Sequence, residues 1–536
     1  MATDDSPPQP NTQLHGWKLV VVMTCLCLGV VLYGLDMNII GVAIPVITTE
    51  FKSLGDIAWY GSAYLLTITA FQPFFGNLYK YFNPKAIYLC SIIVFEVGSI
   101  ICATSRTSPI LIFGRAFLGF GAAGLLQGAL AIVSYLVALE KVPVYQSILA
   151  GSGAISACAG PVIGGALTDG LSWRWCFWIN VPVGAVVVVS IVLFVHLSAD
   201  INKVNQSLPI KEKLRRLDFA GTAVFLGSVC CLLLNLQWSG QTIAWSSATS
   251  IGLFVGFGIL GIIFCVLQYK LGEYAIIPLR ILRIRSIYMG ALVLFTLGIA
   301  SIAYAYYLPI YFQSIQGVSA TQSGVRLISF VLPSIVSIII SGAAVSRWGF
   351  YVPYMIVGII ISSVGAGLLL LLSATTPTVE WAAYIVLNRL GIGLAQQLPY
   401  TALQAVLELE DTATGNAIAV FSWQLGGAVA VAIGQNIFLN ELYALIPAYA
   451  PEVSAAQVVD VGAGGLKDLG VSGETLRRLR EAYAEALQST FVLPLVGTCL
   501  ALPFAMGMQW LNIKKIAEER RQKRGQEMQQ PEAEKA

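Results

Sequence analysis

Charge is what this chain has least of: 11% of its 536 residues are Asp, Glu, Lys or Arg, against 57% hydrophobic. Soluble domains carry about a quarter charged residues, so a soluble globular protein is excluded, and a mean hydropathy of +0.77 indicates a membrane chain. The ten cysteines show no metal-type spacing beyond the adjacent Cys230 and Cys231, which argues against a zinc site or a disulfide framework. No phosphate loop, nucleotide-binding domain or metal-ligand cluster is legible, so no cofactor is expected and ATP-driven work is disfavoured. A catalytic constellation is also missing, and neither an enzyme nor a nucleic-acid partner is expected. Residues 1–16 hold Asp4, Asp5, Pro7, Pro8 and Pro10 without a basic n-region, and read as a disordered cytosolic tail rather than a signal peptide.

Apolar runs of about 20 residues are abundant. They fall near 17–44, 57–79, 86–104, 109–137, 144–168, 175–197, 218–237, 246–269, 287–313, 322–345, 351–374, 380–406, 412–438 and 489–512, fourteen expected spans in an all-α membrane protein. With the N-terminus in the cytosol, the inner segments collect Lys18, Lys80, Lys85, Lys141, Lys203, Lys211, Lys213, Arg215, Arg216, Lys270, Arg280, Arg283, Arg285 and Arg347. The outer loops and adjoining helix ends hold Lys52, Arg106, Arg174 and Arg326, so both termini are expected in the cytosol. Within the long outer loop 440–488, the stripe Leu476, Leu479, Tyr483 and Leu487 predicts a short helix on the membrane or the protein rim. The sequon Asn205-Gln206-Ser207 falls in a cytosolic loop and should go unused.

The two ends of the chain echo each other. Phe113-Gly114-Arg115 opens the fourth span and Leu387-Asn388-Arg389 the twelfth; Gly76-Asn77-Leu78-Tyr79-Lys80 closes the second and Gly342 to Arg347 the tenth. A repeat of six spans fits, with two interposed: bundles 17–197 and 287–512, a cytosolic linker 198–217, two inserted helices 218–270 and a basic tail 513–536. Such duplicated bundles place a transport site at their interface near the midplane.

A charge at the bilayer centre costs roughly 2.5–3.5 kcal/mol on insertion scales, so each needs a partner or a water path. Asp36 and Arg115 lie roughly 13 and 10 Å inside the outer ends of spans one and four by helical rise, so they can face each other. A carboxylate that gains and loses a guanidinium neighbour couples protonation to conformation, the requirement of proton-driven antiport; a permanent pair joining two helices is the alternative. Glu96 in span three is expected to pack against a polar neighbour near the cytosolic half of the bundle, with a proton-carrying role as the alternative, and Asp169 and Asp218 are expected to cap or join span ends. From Gly151 to Gly184, Gly153, Ala157, Gly160 and Gly164 fall at helical spacings. That face lets another helix approach closely, and Pro161 places the segment in the protein interior.

Leu35-Asp36-Met37-Asn38-Ile39-Ile40-Gly41-Val42-Ala43-Ile44-Pro45 resembles the first-span signature of the fourteen-spanner drug:proton antiporters of the major facilitator superfamily. Leu111 to Gly124, with Arg115, looks like that superfamily's fourth-span motif, and Gly160-Pro161-Val162-Ile163-Gly164-Gly165 with Trp173 to Gly184 is similar to the antiporter signature and its following turn. The resemblance covers nearly the whole chain and is strongest to fungal toxin and multidrug efflux pumps. It implies the major facilitator fold, two six-helix bundles with two additional helices between them. It also implies proton-coupling residues Asp36 and Arg115 and antiporter-motif residues Gly153, Gly160, Pro161, Gly164 and Gly165. One motif departs: Lys80 stands after span two where the superfamily usually has an aspartate, which leaves the lock on the cytosolic side unassigned. Lys80, Lys85 and Lys141 then read first as plain positive-inside charges, with contacts to acidic groups or lipid head groups as the alternative.

Candidates for cargo contact are Asn38 and Gln127, the i, i+3, i+7 stripe Tyr304, Tyr307 and Tyr311, and Gln396, Gln397, Trp423 and Gln424, with packing between helices an equal alternative for each. Their mixture suits a small amphipathic organic molecule. The expected activity is proton-coupled export by a monomer in the lipid bilayer of the plasma membrane, or alternatively of the vacuole. A proton-linked importer, such as one for siderophores, and a non-transporting sensor are the rival readings.

Overall fold

The computed structural model describes residues 16–520 and Gln522, apart from 52–56, 138–140, 196–208, 216, 241–242, 273–274, 319, 409–410, 462–465 and 470. The expected disordered tail, most of the linker with its sequon, and most of the basic tail lie outside the described residues.

Among the described residues fourteen long helices carry the fold: α1 Trp17–Phe51, α2 Ile57–Tyr81, α3 Pro84–Thr104, α4 Ser108–Leu136, α5 Val142–Gly170, α6 Asn180–Phe194, α7 Phe219–Trp238, α8 Ala248–Leu271, α9 Arg285–Ile310, α10 Ile328–Trp348, α11 Val352–Leu369, α12 Thr378–Gln396, α13 Thr412–Tyr449 and α14 Gly473–Met506. Twelve helical segments among the described residues are long and apolar enough to cross a membrane. The two long helices that miss that measure are α2, which carries Gln72, Asn77 and Lys80, and α12, which carries Glu380, Asn388, Arg389 and Gln396. Their polar groups lower the hydropathy, and Gln72, Asn77, Lys80, Asn388 and Arg389 are buried.

Local chemistry sets many of the ends. Asn83 caps α3 by accepting from the Lys85 amide at 2.9 Å, with Pro84 at the first helical position. Asp218 caps α7 by accepting from the Gly221 amide at 2.7 Å and also takes a hydrogen bond from Gln268 of α8 at 2.8 Å, the capping and joining role its position suggested. Gly349 ends α10 with φ 85°, a left-handed conformation that costs glycine least. Span twelve is broken: α12 stops at Gln396 and a short helix, Leu398–Val406, starts with Pro399, which cannot donate to the preceding turn.

Helices α1 to α6 pack mainly on one another, as α1 on α5, α3 on α4 and α2 on α4, and α9 to α14 do the same, as α9 on α13 and α14 and α11 on α12. The halves meet along α2 with α13 and α5 with α10. Helix α7 rests on this body through Phe225, which meets Phe421 of α13, whereas α8 shows Ile251, Val255, Ile259, Ile262 and Val266 outward, a face suited to lipid. Below, the face where α1 begins and α14 ends is called the terminal face, and its opposite the distal face.

The segment 440–488, expected as a loop with a helix on the membrane or rim, is corrected in part. Helix α13 runs through to Tyr449 and α14 starts at Gly473, so both continue past the apolar spans. Leu479, Tyr483 and Leu487 face protein, in a core with Phe438, Leu442 and Ile446, while Arg477 and Arg478 pair with Glu474 on the outer side. The apolar stripe finds its partner on α13 instead of in the bilayer.

Candidate functional site

The two opposite charges predicted from depth do meet. Arg115 donates to a carboxylate oxygen of Asp36, and both side chains are essentially without solvent exposure. The guanidinium is fixed on three other sides: its Nε donates to the Tyr60 carbonyl at 2.8 Å, and its plane lies 4.5 Å from the Tyr64 ring and 6.0 Å from the Phe177 ring. Helices α1, α2 and α4 thus hold one ion pair in an aromatic box. A single buried pair exchanges desolvation against Coulomb attraction, so it contributes little net stability but is expensive to break on one side.

The second half repeats the arginine. Arg389 on α12 donates to Ser334 Oγ at 2.8 Å, Ser301 Oγ at 2.9 Å and the Phe330 carbonyl at 3.2 Å, over the Phe330 ring at 3.9 Å. Its position in the internal echo is matched, with hydroxyl groups among its partners.

The glycine-rich face acts in α5 as spacing suggests, at some positions and not others. Gly34 of α1 and Gly160 of α5 sit at the crossing, where a Cβ on Gly160 would come within 2.8 Å of the Asn38 Cβ, and one on Gly34 within 2.9 Å of the Ser156 Cβ. Gly153 faces Val30 of α1 more loosely, and Gly164 accepts from the Cys176 thiol at 3.8 Å. Ala157 is exposed, so it is corrected: it does not serve the crossing; nothing lies within 4 Å of a Cβ placed on the motif residue Gly165. Helix α5 passes Pro161 without interruption, between α1 and α10, with Ile155 and Val162 on its exposed side.

Among the expected cargo contacts, the structure brings together those at the junction of the halves. Gln424 of α13 donates to the Tyr33 hydroxyl of α1 at 2.6 Å, and Trp423 lies half-buried between the cores of the two halves. Gln127 of α4 donates to the Ala413 carbonyl, also across the junction. Asn38 instead donates to Gly34 of its own helix at 2.7 Å, Gln396 is half-buried and Gln397 is buried at the break after α12. The tyrosine stripe takes the packing alternative and not cargo contact: Tyr304, Tyr307 and Tyr311 are wholly buried in the core of the second half. Tyr304 packs on Phe491, while the hydroxyls of Tyr307 and Tyr311 donate to the Val431 and Ser373 carbonyls at 3.2 and 3.0 Å. Helical spacing identifies a face but not which neighbour covers it. Tyr33, three residues before Asp36, was missed as the partner of Gln424; an aromatic one turn from a buried acid was the available signal.

A model of the Major Facilitator Superfamily matches residues 26–431. The chain belongs to that superfamily. It is 44% identical over 499 residues to the MFS-type efflux pump MFS1 of Arthroderma benhamiae, covering 93% of this chain and 92% of that protein. It is 40% identical to the aspyridones efflux protein of Neocamarosporium betae, over 94% of this chain and 89% of that one. With the efflux pump aflT of Aspergillus parasiticus the identity is 38%, over 95% and 99%. Among solved structures, the human organic anion transporter MFSD10 superposes with a TM-score of 0.58 at 12% identity, over 91% of this chain and 100% of that one, which shows a shared fold.

Against the superfamily's usual aspartate after the second span, Lys80 has the opposite sign, and the structure supplies a matching inversion across the junction. Lys80 Nζ bonds Asp411 Oδ1 at 2.6 Å, while Arg280 reaches the other oxygen of the same carboxylate at 2.6 Å. Lys80 is therefore corrected from a plain surface charge to a buried ion-pair partner; Lys85 donates to the Val192 carbonyl at 2.9 Å and Lys141 is exposed. Burial by itself raises the Asp411 carboxyl, but the hydrogen bonds and charges of Lys80 and Arg280 outweigh it and hold the group below the usual carboxylate range. Gln404 adds a bond to Ser134 Oγ at 3.0 Å, and Gly342 packs on the Pro143 turn, so the halves of this superfamily member are fastened at the terminal face. On the distal face, Arg174 and Trp173 close on Glu50 at 2.8 and 2.7 Å. The Arg174 hydrogen bonds lower that carboxyl, against a smaller effect of burial.

Proposed function

We propose that this chain exports small amphipathic organic molecules in exchange for protons, with Asp36 as the proton carrier and Arg115 as its charge partner. The buried Asp36–Arg115 contact is the observation that carries the coupling. A proton on Asp36 removes the attraction that holds the guanidinium, so α1 and α4 are free to part; its loss restores the pair, and the two events alternate with the cargo step. The Tyr33–Gln424 contact and Trp423 offer cargo one aromatic surface and polar groups at the junction of the halves. Fourteen spans organised as two six-helix bundles and two inserted helices, both termini in the cytosol and a plasma-membrane address complete the proposal. The terminal face, which carries most of the basic residues, is then cytosolic and shut in this conformation.

The efflux relatives support export of fungal secondary metabolites or toxins as the cargo class. Transport into inverted membrane vesicles, with an imposed proton gradient and a panel of amphipathic fluorescent compounds, tests the reading. Wild type should accumulate cargo against its own gradient as protons move the other way, and Asp36→Asn should lose that accumulation at least tenfold while still binding cargo. Cargo moving only in the direction of the proton, or gradient-driven transport unaffected by Asp36→Asn, sinks it.

A further inference from the structure

Glu96 is a charged side chain that the mechanism above leaves unused. It was expected near the cytosolic half; it stands instead eight residues before the distal end of α3 at Thr104, roughly 12 Å in, at about the depth of Arg115. Both carboxyl oxygens are buried, and neither has a hydrogen-bond partner among the described residues. They lie in a notch of α6 made by Gly184, where a Cβ would collide with Oε1, so this place is shaped for the carboxyl group. On either side the helices show apolar residues outward, Ile93, Val97 and Ile100 of α3 and Val186 and Val189 of α6.

One turn further along α3, Ser99 Oγ accepts from Asn180 Nδ2 at 2.9 Å and donates to the Phe177 carbonyl at 2.9 Å. Asn180 lies beside Asp36 as well, and its own Oδ1 has no partner among the described residues. The polar groups therefore run across the first half from Arg115 and Asp36 through Asn180 to Ser99, and Glu96 stands one turn away along α3 without a hydrogen bond to Ser99. The charged and titratable groups around it are Asp36 on α1, Arg115 on α4, Cys102 on α3 and Cys176 in the short helix before α6, and of these Asp36 is within electrostatic range of Glu96. An unpaired carboxylate at such depth is expensive, and intramembrane acids of this kind mark proton paths.

We infer that Glu96 is a second proton-binding carboxyl of the first half, seated where α3 meets α6 beneath their outward apolar residues and coupled to the Asp36–Arg115 pair through charge. Its purpose in the transport cycle rests on the proton-coupled reading above. A proton taken from water adds to a carboxylate oxygen of Glu96 and removes a negative charge from the vicinity of Asp36; its release to water restores that charge. The two acids consequently influence each other's occupancy without direct contact.

The site can be read without any cargo. Dicyclohexylcarbodiimide, an apolar reagent, reacts with a neutral carboxylic acid in an apolar place: the acid proton goes to one nitrogen, the carboxyl oxygen bonds the central carbon, and the adduct rearranges to a stable acylurea with no group lost. The full-length protein in lipid nanodiscs, treated at neutral pH and examined by peptide mass mapping, should carry this adduct on Glu96. A water-soluble carbodiimide should label it at least fivefold less. Glu96→Gln, which keeps the shape, should abolish the adduct, and Gly184→Ala, which displaces the carboxyl, should reduce it severalfold. Asp36→Asn should retain it. In vesicles, Glu96→Gln should lower gradient-driven export at least fivefold with cargo binding unchanged.

Absence of the adduct in wild type, or equal labelling by the water-soluble reagent, overturns the proton site. Full gradient-driven export by Glu96→Gln, together with a loss in Asp36→Asn, overturns the role of Glu96 in transport and leaves the Asp36 mechanism standing. Loss of gradient dependence nowhere in the series strikes the coupling mechanism instead, with the labelling result unaffected.

Discussion

At the scale of single residues, the Asp36–Arg115 contact was legible because ionisable side chains are rare in apolar runs and depth can be counted along a helix. What could not be counted is the rest of the box. The Tyr60 carbonyl and the Tyr64 and Phe177 rings come from segments 55, 51 and 62 residues from Arg115. Their fixed fork-and-plane geometry makes Arg115→Lys a poor replacement, since an ammonium keeps the charge but loses the planar stacking and the oriented donors. Arg115→Lys should keep the protein folded and cut gradient-driven export about tenfold or more, as measured in vesicles. Gln424→Leu should remove a bond between halves worth about 0.5–1.5 kcal/mol and change apparent cargo affinity severalfold, with proton dependence intact. An unchanged affinity for every cargo tried would remove Gln424 from the binding region.

At the scale of elements, helical spacing was reliable for identifying faces and weaker for naming their neighbours. The glycines of α5 show both sides of this. Gly160 touches α1 so closely that even a methyl group must displace Asn38, whereas a Cβ on Gly165 meets nothing within 4 Å. Gly160→Ala should therefore destabilise the purified protein by about 1–3 kcal/mol and lower its melting temperature, and Gly165→Ala should leave both melting and export near wild type. Equal effects at the two positions would show that the motif acts through backbone flexibility and not through packing. The tyrosine stripe of α9 teaches the same lesson in reverse. Its period correctly marks a single face, but α13 and α14 cover that face, so the rings join helices within one half.

At the scale of the whole molecule, the fastening of the terminal face depends on residues far apart in sequence. Lys80 and Asp411 are 331 positions apart, and Arg280 reaches the same carboxylate from a third segment. Because the Asp411 carboxyl is lowered, it is ionised above the ordinary carboxylate range, and its contribution fades only as pH falls through its depressed value. Between roughly pH 5 and 8 this fastening should thus stay constant, which separates it from the proton coupling proposed for the Asp36–Arg115 pair. Lys80→Ala should weaken the closed terminal face by about 1–3 kcal/mol, less than a fully buried broken pair because Arg280 remains half-exposed beside the acid. Cysteine-accessibility labelling at the junction should report increased opening, and the double variant Lys80→Asp with Asp411→Lys should partly restore closure. An opening that titrates in Lys80→Ala and wild type alike within that pH window would contradict the assignment.

The sequence by itself determined that this is a helical membrane chain, where most of its helices lie, that its ends echo each other, and which acid and base occur in the apolar interior. Those properties are local: composition, run length and periodicity act within one helix, and insertion costs act on one side chain at a time. Only the tertiary structure decided which faces meet, that the tyrosines of α9 are core, that Lys80 serves as a buried partner, and that Glu96 lies in a notch of α6. Contacts between helices distant in sequence are set by how side chains of several segments fill a shared space, and no single segment contains that information.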